Sequence, residues 1–341
     1  MTHPFRDPSV IAAAGALIDQ RRFDEALAYL SRFVGNQEEL AQGYRLLADL
    51  HRAALVREPR HAPHWFGLVS SVANWSRRQP APPAEMAETP PAGDSFSVII
   101  CSIDGEKERR AVAHYQRLLE GCAFEIVVIR DARSLCEGYN RGVRHARGEI
   151  LIFSHDDIEI LSPAFVPRLS RHLQHHDLVG VAGTSRLIQP RWVSAGWPYL
   201  HGMVAHEAEG VLKISVFGAP ALTDPGAQAL DGCWFACRRS LLERIRFDEE
   251  GFDGFHFYDL DFSFAAHLAG RRVAVCNDIL ALHGSPGHMD EAWWQYRAKF
   301  AAKYAHHFAT PPEEALQPHF ILSFSDRESL VTFSERMAFY Y

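Results

Sequence analysis

Several things are missing from this chain, and each absence excludes a class of protein. Its six cysteines include no CxxC pair, and their spacings suit neither a zinc site nor a secreted disulfide framework. No apolar run is long enough to span a bilayer. Residues 10–18 (VIAAAGALI) have no basic leader before them and run on into an amphipathic pattern, which argues against an export signal. Basic charge is not in excess: Lys+Arg 35 against Asp+Glu 42 leaves a net charge of −7, so no global field draws in nucleic acid or an anionic membrane. No GxGxxG dinucleotide fingerprint comes after the first apolar strand, where the turn reads IDGEK. A cytoplasmic chain with reduced cysteines is expected.

What is present is ordinary globular composition, 47% hydrophobic and 23% charged. At roughly 150 residues per domain, the length suggests about two domains. Residues 8–78 read as helical. Ala26, Leu27, Leu30 and Phe33 recur on one helical face, and a further helix is expected over roughly 37–56. The RRFDEAL stretch resembles the turn and second helix of a tetratricopeptide-type hairpin, although no repeat recurs at a fixed period. Residues 79–94 hold five prolines and little to pack, so they read as a linker between a helical domain at 1–78 and the remainder of the chain.

Beyond the linker the pattern changes. FSVIICSI (96–103), FEIVVIR (124–130), EILIFS (149–154) and LVGVAG (178–183) are short apolar runs of strand length, separated by helical stretches at 107–121 and 135–148. Such alternation predicts a mainly parallel sheet covered on both faces, with ligands beyond the carboxyl ends of its strands. FSHDDIEI (153–160) lies at such an end, where His155, Asp156, Asp157 and Glu159 crowd together. If the strand continued, Asp157 and Glu159 would share a face. The alternative to a metal site is a strand that simply ends in solvated acids.

The segments SVIICSID, EIVVIRD and SLCEGYNRGVRHARGEILIFSHDD are together similar to the opening half of the family 2 glycosyltransferases. ALDGCWFACRRSLLERIRFDEEGFDGFHFYDLDFSFAAHLAGRRVAV (229–275) and ALHGSPG (281–287) resemble the second half. The resemblance implies a GT-A fold, a Rossmann-like α/β nucleotide-binding sandwich, at 95–305. A small α-helical domain would precede it, and a C-terminal extension would occupy 306–341.

It also implies roles. The family carries an Asp-x-Asp triplet where this chain has His155-Asp156-Asp157. Asp157 is therefore the expected ligand of Mn²⁺ or Mg²⁺, with His155 and His283 as partners and the 284–287 loop closing over donor. Asp259 stands at the position of the general base, with Tyr258 in place of the preceding acid. An acid at a helix start is expected to stay ionised, because the helix dipole favours its charge. Ser102, Asp104, Asp131, Asn140 and Asp156 fall where family members meet the nucleotide. Asn140 and Gly142 match an Asn-x-Gly that usually serves helix packing. Asp231, Gly232, Trp234, His256 and Asp261 fall on the acceptor side. Trp234 is either a stacking platform for a sugar or a core residue, and Asp261 either meets acceptor or caps a helix. The loop-like stretch 189–210 is the expected seat of acceptor specificity. His172, His175, His176, His306 and His307 read as helix-surface residues.

The expected activity is metal-assisted, inverting transfer of a sugar from a nucleoside diphosphate to an acceptor hydroxyl on a glycan, lipid, protein or small molecule. The alternative of a different class is an inactive nucleotide-binding scaffold whose N-terminal helices recruit a protein partner.

Overall fold

The structure, a computed structural model, describes residues 4–79, 94–218, 223–224, 226–285, 287, 289–311 and 319–340. Nearly all of the proline-rich linker lies outside the described residues, as does Pro286 of the 284–287 loop. The chain divides into two compact units, residues 1–84 with 322–341, and residues 85–321.

The first unit is helical. It holds α1 (Pro8–Asp19), α2 (Phe23–Ser31), α3 (Gln37–Arg57) and α4 (Ala62–Ser76). Asn36 starts α3 by accepting a hydrogen bond from the Glu39 backbone N–H at 2.9 Å, satisfying one of the donors a helix start leaves open. Ala14, Ile18, Ala26, Leu30 and Leu47 are buried together where α1, α2 and α3 meet, which is the face the 3.6-residue spacing outlined.

In the second unit, β1 (Ser95–Cys101), β2 (Ala123–Ile129) and β3 (Ile150–Ser154) alternate with α5 (Gly105–Leu118) and α6 (Leu135–His145). Val98, Ile99 and Ile100 are fully buried, because helices cover both faces of the sheet. α6 lies close on β1 at Gly142, where a Cβ would fall 2.3 Å from Ile99 Cγ2, so the Asn-x-Gly glycine serves packing.

After β3 come β4 (Ile158–Ile160), α7 (Phe165–His175), β5 (Leu178–Gly180) and β6 (Ala182–Thr184). The single strand expected over 178–183 is thus two strands in different sheets, changing over at Val181. Next come β7 (Leu200–Ala208), β8 (Val211–Gly218), β9 (Thr223–Asp224), β10 (Ala229–Leu230) and β11 (Trp234–Arg238). The unit continues with α8 (Arg239–Leu242), α9 (Tyr258–Leu268), β12 (Val273–Cys276), β13 (Ala281–His283) and α10 (Glu291–Lys303).

The main sheet has the order β2-β1-β3-β11-β5-β12-β9. Five strands run one way, while β11 and β9 oppose their neighbours, so the sheet is mainly parallel as expected. A second sheet orders β10-β6-β7-β13-β4.

One expectation needs correcting. His172 is buried, not on a helix surface; its ring meets Asp278 at 2.6 Å and Thr223 at 2.7 Å. After β14 (Phe320–Phe324), α11 (Arg327–Tyr340) packs on α4 in the helical unit. There the Arg336 guanidinium lies 3.8 Å from the centre of the Trp75 ring. Among the described residues, no helix is long and apolar enough to cross a membrane.

Candidate active site

β3 ends at Ser154, and the next three residues turn out of the main sheet before β4 begins in the other. Antiparallel pairing of β13 with β4 sets His283 opposite Ile158, and the Gly284 N–H donates to the Asp157 carbonyl at 2.9 Å. This register brings residues more than 120 positions apart into contact. His155, Asp157 and His283 each point one donor atom into a space where all three lie within 4.8 Å of one another. Glu159, the alternative partner of Asp157, sits on β4 outside this group.

Two of the three members are held from behind. Asp157 accepts hydrogen bonds from Ser285 at 2.6 Å and from the Lys107 ammonium at 3.3 Å, and its other oxygen lies 3.4 Å from His283 Nε2. Burial alone would raise the Asp157 carboxyl, but the His283 and Ser285 contacts and the Lys107 charge outweigh it and hold it well below the usual range. Burial pushes the His155 imidazole down to about 4, with His283 adding to the effect, so it is neutral at physiological pH. The Tyr258 hydroxyl donates to the Gly232 carbonyl at 2.8 Å and lies 2.7 Å from His155 Nε2. A hydroxyl has one proton to give, so here it accepts from Nε2–H. His155 Nδ1 then carries the lone pair and faces His283 Nε2 at 3.3 Å. The two imidazoles and the carboxylate, with His155 and Asp157 oriented by outer partners, fit a divalent cation.

Next to this group is a cavity of about 460 Å³ whose lining includes His155, His283, Asp231, Gly232, His256 and Asp259. Phe257 enters α9 with φ +65°, a left-handed conformation a phenylalanine adopts at a cost of order 1–3 kcal/mol, and Tyr258 and Asp259 come directly after it in the cavity wall. Gly232 lets α9 approach: a Cβ there would fall 2.3 Å from Tyr258 Oη and 2.7 Å from Asp259 Cβ. The helix start alone does not set the Asp259 carboxyl. Burial, with the nearby Asp231 charge adding to it, pushes its carboxyl up to about 7 and outweighs the backbone N–H groups of the helix start. Asp231 is fixed by the Trp192 indole N–H at 3.1 Å and the Cys233 N–H at 3.0 Å, and His256 by Asp290 at 3.2 Å.

Two acceptor-side residues lie elsewhere. Trp234 is fully buried, edge-on to Phe165 in the core, because β11 is covered on both faces. Asp261 is buried under α10, bonded to Lys303 at 2.6 Å and Tyr304 at 2.8 Å. Among the aromatics that do line the cavity is Trp192, from the 189–210 stretch, whose second half is β7 rather than loop.

The nucleotide-side residues gather less tightly. Ser102 and Asp156 meet at 2.6 Å beyond the ends of β1 and β3. Asp104 caps α5, accepting from the N–H groups of Glu106 at 2.8 Å and Lys107 at 3.1 Å. Asp131 is exposed and paired with Arg141 at 2.8 Å. Asn140 is buried, its amide donating to the Phe247 carbonyl at 2.8 Å, a packing role. Lys107 and Ser285, which hold Asp157, carry no motif that would mark them in the sequence. The one signal for Ser285 is its place two residues after His283.

Comparison with known proteins places this geometry. Residues 97–309 match the model of a glycosyltransferase-like family. No curated protein matches. Solved structures that align include a mannosyltransferase of Pyrobaculum calidifontis in complex with GDP-Man and Mn²⁺, at 16% identity and a TM-score of 0.39, over 86% of this chain and 81% of that one. Staphylococcus aureus TarS with UDP aligns at 14% identity and a TM-score of 0.38, over 62% of this chain and 66% of that one. The protein A197 from STIV aligns at 12% identity and a TM-score of 0.34, over 57% and 86%. Likenesses so distant carry no weight on chemistry, but the family match spans more than half of the sequence, so the chain belongs to the glycosyltransferase-like family and is a glycosyltransferase.

Proposed function

We propose that this enzyme moves a sugar from a nucleoside diphosphate to an acceptor hydroxyl with inversion, assisted by Mn²⁺ or Mg²⁺. The observation that supports it most is the shared cavity, in which the Asp259 carboxylate and the His155–His283 pair are both in the wall. Asp259 takes the proton from the acceptor hydroxyl as its oxygen attacks the anomeric carbon and the bond to the diphosphate breaks. A carboxyl at about 7 suits this task, because a base works best with a pKa near the working pH. His155, Asp157 and His283 would hold the cation, whose chemistry is Lewis-acid neutralisation of charge on the leaving diphosphate, worth several kcal/mol. Ser102, Asp104, Asp131 and Asp156 would meet the nucleotide. Asp231, Gly232, His256 and Trp192 would shape the acceptor side and exclude water.

The test is a panel of UDP-, GDP- and dTDP-sugars with Mn²⁺, read both as donor hydrolysis and as thermal shift. One donor should turn over and raise Tm, and Asp157→Ala should remove the metal-dependent part of that rise. Silence from the whole panel would sink the proposal and favour the scaffold.

A further inference from the structure

The helical unit carries a cluster of metal-binding side chains that sugar transfer does not use. Glu58 caps the end of α3, His61 caps the start of α4, and His64 lies in the first turn of that helix. A donor atom from each lies within 4.8 Å of the other two. The His61 and His64 rings lie against each other, with centroids 4.4 Å apart. We propose that Glu58, His61 and His64 form a binding site for a zinc-class divalent cation, distinct from the His155–Asp157–His283 group.

The chemistry of the donors sets the class of ion. Mg²⁺ and Ca²⁺ take oxygen ligands, and a donor diphosphate would supply them at the His155–Asp157–His283 group; two imidazoles with one carboxylate and no phosphate beside them suit Zn²⁺, Co²⁺ or Ni²⁺. A tetrahedral site needs donors about 3.3 Å apart, given metal–nitrogen bonds of about 2.0–2.1 Å. Closing to that distance asks for rotation of the exposed Glu58 and the half-buried His61, while the buried His64 stays in place.

His64 is held as ligating histidines usually are, with its second nitrogen engaged by a neighbour. Its Nδ1 lies 3.4 Å from Nδ1 of His51, a buried residue of α3, which leaves Nε2 for the metal. Phe23 packs against both rings, at 5.0 Å from His51 and 5.5 Å from His64 between centroids, and limits their movement.

The competitor for Glu58 is Arg21, 3.5 Å away with both side chains more than half exposed. Such surface pairs are weak, so a cation displaces it. An open cavity of about 440 Å³, lined by Glu58, Pro59, Arg60 and His61, gives an entry path and room for a water as fourth ligand. The bound ion ties the end of α3 to the start of α4.

Co²⁺ is the probe, because its visible absorption reports tetrahedral coordination. It is added to the tag-free, full-length chain carrying Asp157→Ala and His283→Ala, which removes the other candidate site. One equivalent should bind with intense visible bands, raise Tm, and be displaced by Zn²⁺. Adding Glu58→Gln and His61→Asn, both at accessible positions, should abolish binding while circular dichroism shows the helices intact. Absence of Co²⁺ binding in the first variant, or an undiminished equivalent in the second, overturns the site whatever the outcome for sugar transfer.

Discussion

His155 Nε2 and the Tyr258 hydroxyl are 2.7 Å apart, so the two residues that stand where the family resemblance calls for acids are bonded to each other. The two departures are one arrangement. Tyr258 donates its hydrogen bond to the Gly232 carbonyl and holds His155 with Nδ1 unprotonated, the form an imidazole needs in order to ligate.

Tyr258→Phe tests that coupling. Removal of the hydroxyl frees the His155 tautomer and leaves the Gly232 carbonyl without its donor. Mn²⁺ affinity by titration calorimetry should fall about 10–100-fold, the usual cost of losing an outer partner. Unchanged affinity would show that Tyr258 does not set the histidine.

Asp259→Asn should leave nucleotide-sugar binding intact and lower transfer at least about 10²-fold. Wild-type kcat/KM should drop as pH falls below about 7, since the base is then protonated. The stability effect has the opposite sign. The folded state keeps this proton up to about 7 while the unfolded chain releases it near 3.8, so this group's contribution to stability is lost as pH rises through that window. Urea unfolding of wild type and Asp259→Asn across that range checks the sign.

Trp234→Ala should cost about 3–5 kcal/mol in urea unfolding, because it empties a fully buried site in the core. A stacking platform would instead show a raised acceptor KM with stability unchanged.

Asp261→Asn should lose about 1–3 kcal/mol, since Lys303 and Tyr304 lose a charged acceptor. Donor binding should stay as in wild type; a weakened acceptor KM at full stability would return this residue to the acceptor side.

Deletion of residues 1–78 should expose α11, whose Leu330, Phe333 and Met337 are buried in the helical unit. Binding of a hydrophobic dye should rise several-fold and solubility should fall. A monomer that binds no dye would mean the last helix needs no cover from α4.

Much of the scaffold was legible because it rests on local pattern. The runs at β1, β2 and β3 are apolar and β-branched, and no other element of that length suits them. Asp259 and Trp234 could not be settled from sequence for a shared reason. Position on a helix or strand can be read from sequence, whereas the number of covered faces cannot. α9 starts inside a cavity wall beside Asp231, so burial overrides the helix dipole, and β11 is covered on both faces, so its tryptophan has no open side.

The sequence by itself determined the residue types: apolar strands ending in carboxylates and histidines, a helical segment ahead of them, and acids in the order that a sugar transferase would need. These are local features, fixed by side-chain chemistry and backbone period. Only the tertiary structure decided which of them meet. The β13–β4 register placed His283 beside Asp157, the glycine at 232 let Tyr258 reach His155, and the α3–α4 turn drew Glu58 towards His61 and His64. Such meetings depend on strand register and close approach, which a linear pattern of side chains does not specify.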